Sequence, residues 1–305
     1  MKKIDLAQRL DLYRGAVIPG MRMNQPLLDF YSQSDAWMIR SKCASGVRIL
    51  FNSDAVELVW TCKFGAPARE IYTTDIFVDD CMYTFTGEGP HKLELASGMK
   101  RIEIYLPHLV ILEDHSLEVN DSAVVEAVAE NRQKLLICGD SILQGMTCSS
   151  PARASVAIAA RELDMNLHNT SVGGVTMQYK IVEDTLQIPG DMIVIGLGIN
   201  DIPHKTTDDV FIEQTEKMMQ LVNNFAGKSF VITPIPTGMD NLEAERDHIC
   251  QMIRDVHKKY PKVVLVEGES FFPADPSLLC DGVHPNDKGM EVYAQGLIKM
   301  IRDNR

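Results

Sequence analysis

Short apolar runs that break off at a glycine or a polar residue recur through the second half of the chain. Leu135-Leu136-Ile137-Cys138 stops at Gly139-Asp140-Ser141, and Met192 to Leu197 stops at Gly198-Ile199-Asn200-Asp201. Ser229 to Ile232 stops before Pro234 and Pro236, Val263 to Val266 is the last such run, and a shorter one lies near Leu167. Runs of this length without alternation predict strands buried on both faces. Between them, apolar residues at helical spacing predict helices over 152–163, 177–186, 208–225 (with Gly227 as a stop), 242–260 and 286–301. A short helix is expected from Ile142 to Met146, and a loop over 271–282. Five strands alternating with helices predict an α/β unit: a five-stranded parallel sheet with helices on both faces.

The first half is written differently. Val47–Phe51, Val56–Cys62, Ile76–Val78, Met82–Phe85, Lys92–Leu95 and Lys100–Leu106 alternate in part and are separated by turn clusters such as Asn52-Ser53-Asp54 and Asp79-Asp80. Short strands at this spacing predict an all-β sandwich. Residues 1–40 are mixed, with Leu6, Leu10 and Leu12 forming at most a short amphipathic segment. The polar stretch 122–134 is expected to be a helical linker, which divides the chain into residues 1–130 and 131–305. Asp75, Asp79 and Asp80 are expected to be turn acids and not a metal cluster. His91, His108 and His115 have no ligand spacing.

In a parallel sheet, ligands bind beyond the C-terminal ends of the strands. Ser141, Gly174, Asn200 and the loop carrying Asp281 and His284 each follow one of the predicted strands, so all four fall on one edge. Ser141 is then a candidate nucleophile, with His284 as the base that its weakly nucleophilic hydroxyl needs and Asp281 as the group orienting the imidazole. The Ser141 N–H, the Gly174 N–H and the Asn200 amide are candidate oxyanion donors. Taken singly, each of these is also a helix cap or a turn residue. Their shared order and placement favour a site.

Composition narrows the partners. A net charge of −12 over 305 residues disfavours nucleic acid and anionic membranes. No run approaches the ~18 apolar residues of a membrane span, and the N-terminus has no signal-peptide core. Seven scattered cysteines without a CxxC pair predict a reducing, cytoplasmic setting. Nothing in the sequence assigns an oligomeric state.

Gly139-Asp140-Ser141, Asn169 to Gly174, Gly198-Ile199-Asn200-Asp201 and Asp281-Gly282-Val283-His284-Pro285 resemble the four blocks of the SGNH (GDSL-type) hydrolases. A GxSxG nucleophile turn is absent, which sets aside the α/β-hydrolase alternative. The stretch from Cys43 to Phe51, with the strand running to Trp60, resembles the sandwich that precedes the SGNH domain in family-two carbohydrate esterases and related acyltransferases. The resemblance implies a jelly-roll-like sandwich followed by a three-layer α/β/α domain. It also implies a serine esterase that removes a short acyl group, often acetyl, from a sugar or similar alcohol, with no metal or organic cofactor. Transfer of the acyl group to a second alcohol, or non-catalytic glycan binding, are the alternatives; a thioesterase or lipase is not distinguished. With every candidate catalytic residue after Leu135, a chain cut near Glu130 is expected, if it folds, to keep hydrolysis of a small activated ester.

Overall fold

The computed structural model describes residues 1–270 and 272–304. The front half contains ten strands: β1 (Lys2–Ile4), β2 (Tyr13–Arg14), β3 (Arg48–Ser53), β4 (Glu57–Pro67), β5 (Thr73–Val78), β6 (Cys81–Thr86), β7 (His91–Glu94), β8 (Lys100–Tyr105), β9 (Val110–Val119) and β10 (Val125–Ala127). Two helices, α1 (Gln25–Tyr31) and α2 (Asp35–Lys42), stand between β2 and β3. The strands form two antiparallel sheets, ordered β1-β9-β4-β7 and β10-β3-β8-β5-β6, with β2 beside β3. Alternate residues such as Ile49, Phe51, Leu58, Trp60, Ile102, Ile104, Leu117 and Val119 fill the space between the sheets, as a sandwich requires. The β5–β6 hairpin turns on Asp79-Asp80, with Asp79 at φ +51°, a conformation that aspartate tolerates better than most residues.

The second half contains β11 (Lys134–Gly139), α3 (Ser141–Gln144), α4 (Ser155–Glu162), β12 (Asn166–Asn169), α5 (Tyr179–Thr185), β13 (Met192–Gly196), α6 (Asp201–His204), α7 (Asp208–Asn223), β14 (Lys228–Ile232), α8 (Asp240–His257), β15 (Val264–Val266) and α9 (Asp287–Asp303). Its sheet is parallel and five-stranded, ordered β12-β11-β13-β14-β15. Strand periodicity divides the two cores. Leu135 and Ile137 pack with α4 and α9, whereas Leu136 and Cys138 pack with α5, α7 and α8. The result is the three-layer α/β/α unit beside a sandwich.

The two halves are fastened together. Met23, Leu27 and Tyr31 belong to the core on the α5/α7/α8 face, and Phe77 and Tyr105 to the core on the α4/α9 face. Fully buried Arg22 donates to the carbonyls of Asn169 (2.7 Å) and Ser171 (2.9 Å) and, on its own side, to those of Cys43 and Arg40. Buried Asp75 accepts from Thr84 Oγ1 (2.6 Å) and Ala152 N (2.8 Å), so it is a strand residue joining the halves and not a turn acid.

Two further expectations change, and one strand was not expected. The stretch 122–134 is not helical: Val125–Ala127 pairs with β3, Lys134 opens β11 and the remainder is irregular. Strand β9 was not legible, because Glu113, Asp114 and His115 interrupt its apolar pattern. Leu6 and Leu12 are buried in two short 3-10 turns while Leu10 is exposed, so no amphipathic helix forms there. Phe271, where the expected loop begins, lies outside the described residues. Among the described residues, no helix is long and apolar enough to cross a membrane, and no group of three His, Cys, Asp or Glu could hold a metal ion.

Candidate active site

Strand β11 ends at Gly139, and the chain turns at once into α3. A Cβ on Gly139 would lie 2.6 Å from Leu143 Cδ1 and 2.8 Å from the Gly196 carbonyl oxygen, and one on Gly196 would lie 2.8 Å from the same Leu143 methyl. Two bare glycines therefore let Leu143 drop onto the sheet and hold α3 against it. Asp140 caps the helix, its carboxylate accepting from Ile142 N at 2.9 Å. Ser141 occupies the first helical position. Its Oγ is 2.8 Å from His284 Nε2.

His284 comes from the loop between β15 and α9. Its Nδ1 is 2.8 Å and 3.0 Å from the two Asp281 oxygens, which assigns the ring proton to Nδ1 and leaves Nε2 to accept from the serine hydroxyl. Asp281 Oδ1 also accepts from the backbone N–H groups of His284 (2.9 Å) and Val283 (3.1 Å). Burial works to raise the Asp281 pKa, but these donors outweigh it and hold the carboxyl below its usual value. Gly282 makes the turn that brings His284 back over Asp281, at φ +82°.

The loop after β12 supplies the opposite wall. Gly174 has φ +81°, a conformation costly to any residue with a Cβ. Among the described residues, neither the Ser141 N–H nor the Gly174 N–H donates to another protein group. Asn200 stands at the N-terminus of α6 but makes no capping bond. Instead its Nδ2 donates to Val175 O at 3.0 Å, which fixes the amide and leaves its second hydrogen uncommitted. Two backbone donors and one amide hydrogen thus remain unspent, and Gly173, which precedes Gly174, lies against the serine: a Cβ on it would be 3.3 Å from Ser141 Cβ. Such an arrangement can stabilise a tetrahedral oxyanion.

Sequence reasoning gave no role to the residues that hold this wall. Buried Gln144, three positions after Ser141, accepts from Gly173 N (2.7 Å) and donates to Arg40 O (2.9 Å). Asn169 donates to Leu143 O (2.9 Å) and accepts from Ser171 N (3.0 Å). A glutamine on the buried side of the nucleophile helix was the available signal. Arg40 and Trp37 of α2 also reach Gly174, with Arg40 Nη1 donating to Gly173 O at 2.8 Å, and nothing in the sequence marked them.

Asp140 carries a pH dependence. Burial, aided by the charge of Asp201 and opposed by the Ile142 N–H, pushes its pKa up to about 7. Unfolded aspartate titrates near ~4. Between those values the folded chain holds a proton that the unfolded chain has lost, so stability falls as pH rises from about 4 to about 7. Asp140→Asn keeps the acceptor for Ile142 N–H and should flatten that slope in urea titrations at a series of pH values. The effect is on the order of 3–4 kcal/mol across the window. An unchanged slope would mean that Asp140 is ionised in the fold. Asp281, whose pKa is depressed, acts in the opposite sense and in a lower window: the stability it contributes is lost as pH falls below about 4.

The comparisons agree with this architecture. The family model for the GDSL-like lipase/acylhydrolase family matches residues 137–292. Salicylyl-acyltransferase SsfX3 from a tetracycline biosynthetic pathway superposes with a TM-score of 0.80 at 19% identity, over 96% of this chain and 94% of that one. A Bacteroides ovatus protein described as a GDSL-like lipase gives 0.77 at 18% identity, over 96% of each chain. A family-two carbohydrate esterase from Clostridium thermocellum, solved with cellohexaose, gives 0.64 at 18% identity, over 85% of this chain and 93% of that one. At these identities the likeness is one of fold, and it extends through the sandwich as well as the α/β unit. No match is found among the curated proteins. The matched span takes in the histidine loop and everything from β11 to the start of α9 except the first residues of β11, and by it the chain belongs to the GDSL-like lipase/acylhydrolase family, as a serine hydrolase acting on carboxylic esters.

Proposed function

We propose that this enzyme removes a short acyl group, acetyl foremost, from a sugar or similar alcohol through an acyl-enzyme on Ser141. The observation that carries the reading is the continuous relay from Ser141 Oγ through the His284 imidazole to Asp281, each link 2.8 Å. Ser141 Oγ attacks the acyl carbon as its proton passes to His284 Nε2. The oxyanion is met by the Ser141 and Gly174 N–H groups and the Asn200 amide. Collapse expels the alcohol, which takes the proton back from Nε2, and water repeats the sequence in reverse to free the acid. A second alcohol in place of that water gives acyl transfer from the same intermediate. The sandwich shared with an acyltransferase and with carbohydrate esterases supports both outcomes.

A small cavity near the relay supports a short acyl group. An apolar cavity of about 20 Å³, lined by Ile142, Leu197, Ile199, Pro234 and Val283 among others, opens between the neighbours of Ser141 and His284. That is room for roughly one water-sized group, the methyl of an acetyl. Cys81 and Cys280 are exposed thiols, which suits a cytoplasmic setting. The test is a series of 4-nitrophenyl esters with a fluorophosphonate as active-site label. We expect Ser141 to be labelled, and kcat/KM to fall at least tenfold from acetate to hexanoate. A preference for the longer chain would overturn the short-acyl assignment, and an unlabelled Ser141 would overturn the hydrolase.

A further inference from the structure

The peptide joining Gly173 to Gly174 is gripped from the front half of the chain. Arg40 Nη1 donates to the Gly173 carbonyl oxygen at 2.8 Å. That oxygen and the Gly174 N–H belong to one peptide unit, which is planar and trans. In a trans peptide the two point in opposite directions. A guanidinium seated on the carbonyl therefore leaves the Gly174 N–H facing away from Arg40, and that N–H has no acceptor among the described residues. The bare Cα of Gly174 makes room for the contact: a Cβ there would lie 2.8 Å from the same Nη1. Gly174 thus serves twice, through its φ of +81° and through the space it leaves for the arginine.

The neighbouring bonds hold both partners of this contact in place. The Gly173 N–H donates to Gln144 Oε1 (2.7 Å), and Gln144 Nε2 donates to the Arg40 carbonyl oxygen (2.9 Å). The same Arg40 oxygen accepts from Nη2 of buried Arg22 at 2.9 Å. A closed ring of bonds therefore runs from the Arg40 side chain through Gly173 and Gln144 back to the Arg40 backbone. The Arg40 guanidinium has no acidic partner within 4.0 Å among the described residues, so no carboxylate offsets its charge. A charged donor makes the stronger hydrogen bond. A peptide polarised at its carbonyl oxygen is in turn a better donor at its N–H. Both effects converge on the N–H that the proposed reaction offers to the oxyanion.

We infer that Arg40 is a positioning residue of the oxyanion hole: through the Gly173 carbonyl it orients and polarises the peptide whose N–H, at Gly174, meets the developing negative charge. It acts through that peptide and not on the substrate. The inference rests on the hydrolase reading and deepens it, because it makes the front half of the chain a contributor to transition-state stabilisation. It also sets Arg40 apart from Arg22, which fastens the halves through the carbonyls of Asn169 and Ser171.

The experiment compares Arg40→Met and Arg40→Lys with the wild-type chain on 4-nitrophenyl acetate. In both variants the backbone carbonyl of residue 40 keeps its bonds from Arg22 and Gln144, so the fold is retained and melting temperatures check it. Removing a whole oxyanion donor costs ~10²–10³ in rate, and a weakened donor costs part of that. We expect Arg40→Met to lose about ten- to a hundredfold in kcat while KM stays within about twofold. Arg40→Lys, which returns one charged donor, should recover part of the loss. Millimolar guanidinium ion should speed Arg40→Met and leave the wild type unchanged. A trifluoromethyl ketone, whose adduct with Ser141 bears the oxyanion, should bind Arg40→Met more weakly by about the factor lost in kcat/KM. A lowered melting temperature with kcat unchanged would make Arg40 a fastener of the two halves and overturn the inference. So would a loss confined to KM, or a loss of kcat that neither lysine nor guanidinium relieves. A wild-type chain that cleaves no ester and leaves Ser141 unlabelled by a fluorophosphonate would sink the hydrolase and this role with it. An active wild type with an equally active Arg40→Met would sink the role alone.

Discussion

Ser141→Ala and His284→Ala should each lower kcat on an acetate ester by about 10⁴ or more while the melting temperature stays within a few degrees of wild type. The double variant should be little worse than either single one, because a nucleophile and its base act as a unit and removing either already disables both. Neither substitution opens a cavity of consequence, as Ser141 loses one hydroxyl and His284 lies in a loop. Asp281→Asn should cost less. Its carboxylate is half-exposed, and an exposed partner is partly replaced by water; the asparagine oxygen also retains an acceptor for the His284 Nδ1–H. Asn200→Ala should fall between, losing ~10²–10³ in kcat with little change in KM, as expected of one oxyanion donor. Steady-state kinetics on the four variants and the double check the ordering. A folded Ser141→Ala that keeps a tenth of wild-type kcat would remove Ser141 as nucleophile. A folded Asn200→Ala at wild-type rate would leave that amide a purely structural tie to Val175.

A chain starting at residue 131 should fail to fold, although it contains the whole relay. The cut removes Met23, Leu27 and Tyr31 from one core and Phe77 and Tyr105 from the other. At ~1.5–3 kcal/mol for each large apolar side chain, the loss is roughly 7–15 kcal/mol, which is about the entire stability of an ordinary domain. It also strands the Asn169 and Ser171 carbonyls that Arg22 satisfies and the Ala152 N–H that Asp75 satisfies, each a further cost where the group stays buried. The expectation read from the sequence was conditional on folding: a fragment that folds should keep hydrolysis of a small activated ester. Near-UV circular dichroism and thermal unfolding of the fragment decide the matter. A cooperative transition within about 5 °C of the full chain would mean that the fastening contributes little.

The sequence was most informative where each element is simple and local. Four strand ends with their glycine and polar residues could be read because a strand buried on both faces writes an unbroken apolar run, and the chemistry comes immediately after it. Ser141, Gly174, Asn200, Asp281 and His284 were all placed at the sheet edge from this pattern, and hydrogen bonds join Ser141, His284 and Asp281 among them. The elements that escaped are those whose environment is supplied from far along the chain. Helix α2 carries Trp37, Met38 and Ile39 in succession with no single apolar face, because part of it meets the cleft and part the sandwich. Asp75 looked like one more turn acid until Ala152, 77 positions away, donated to it. Arg40 is an ordinary cation in sequence; its bond to Gly173 O, 133 positions away, is a property of the folded chain that no local pattern encodes.

The floor beneath the nucleophile has a consequence for how freely this protein can drift. Leu143 rests directly on Gly139 and Gly196, so the height of Ser141 above the sheet is set by backbone thickness and not by the volumes of the side chains below. Exchanges among Leu135, Ile137 and Val194, deep in the α4/α9 core, alter packing without entering that stack, and cores accept such exchanges when total volume is kept. Catalytic geometry and core composition are therefore separate degrees of freedom here. A lineage or a design library can wander widely through the apolar interior while the reacting oxygen keeps its place, provided two positions in the sheet never acquire a side chain.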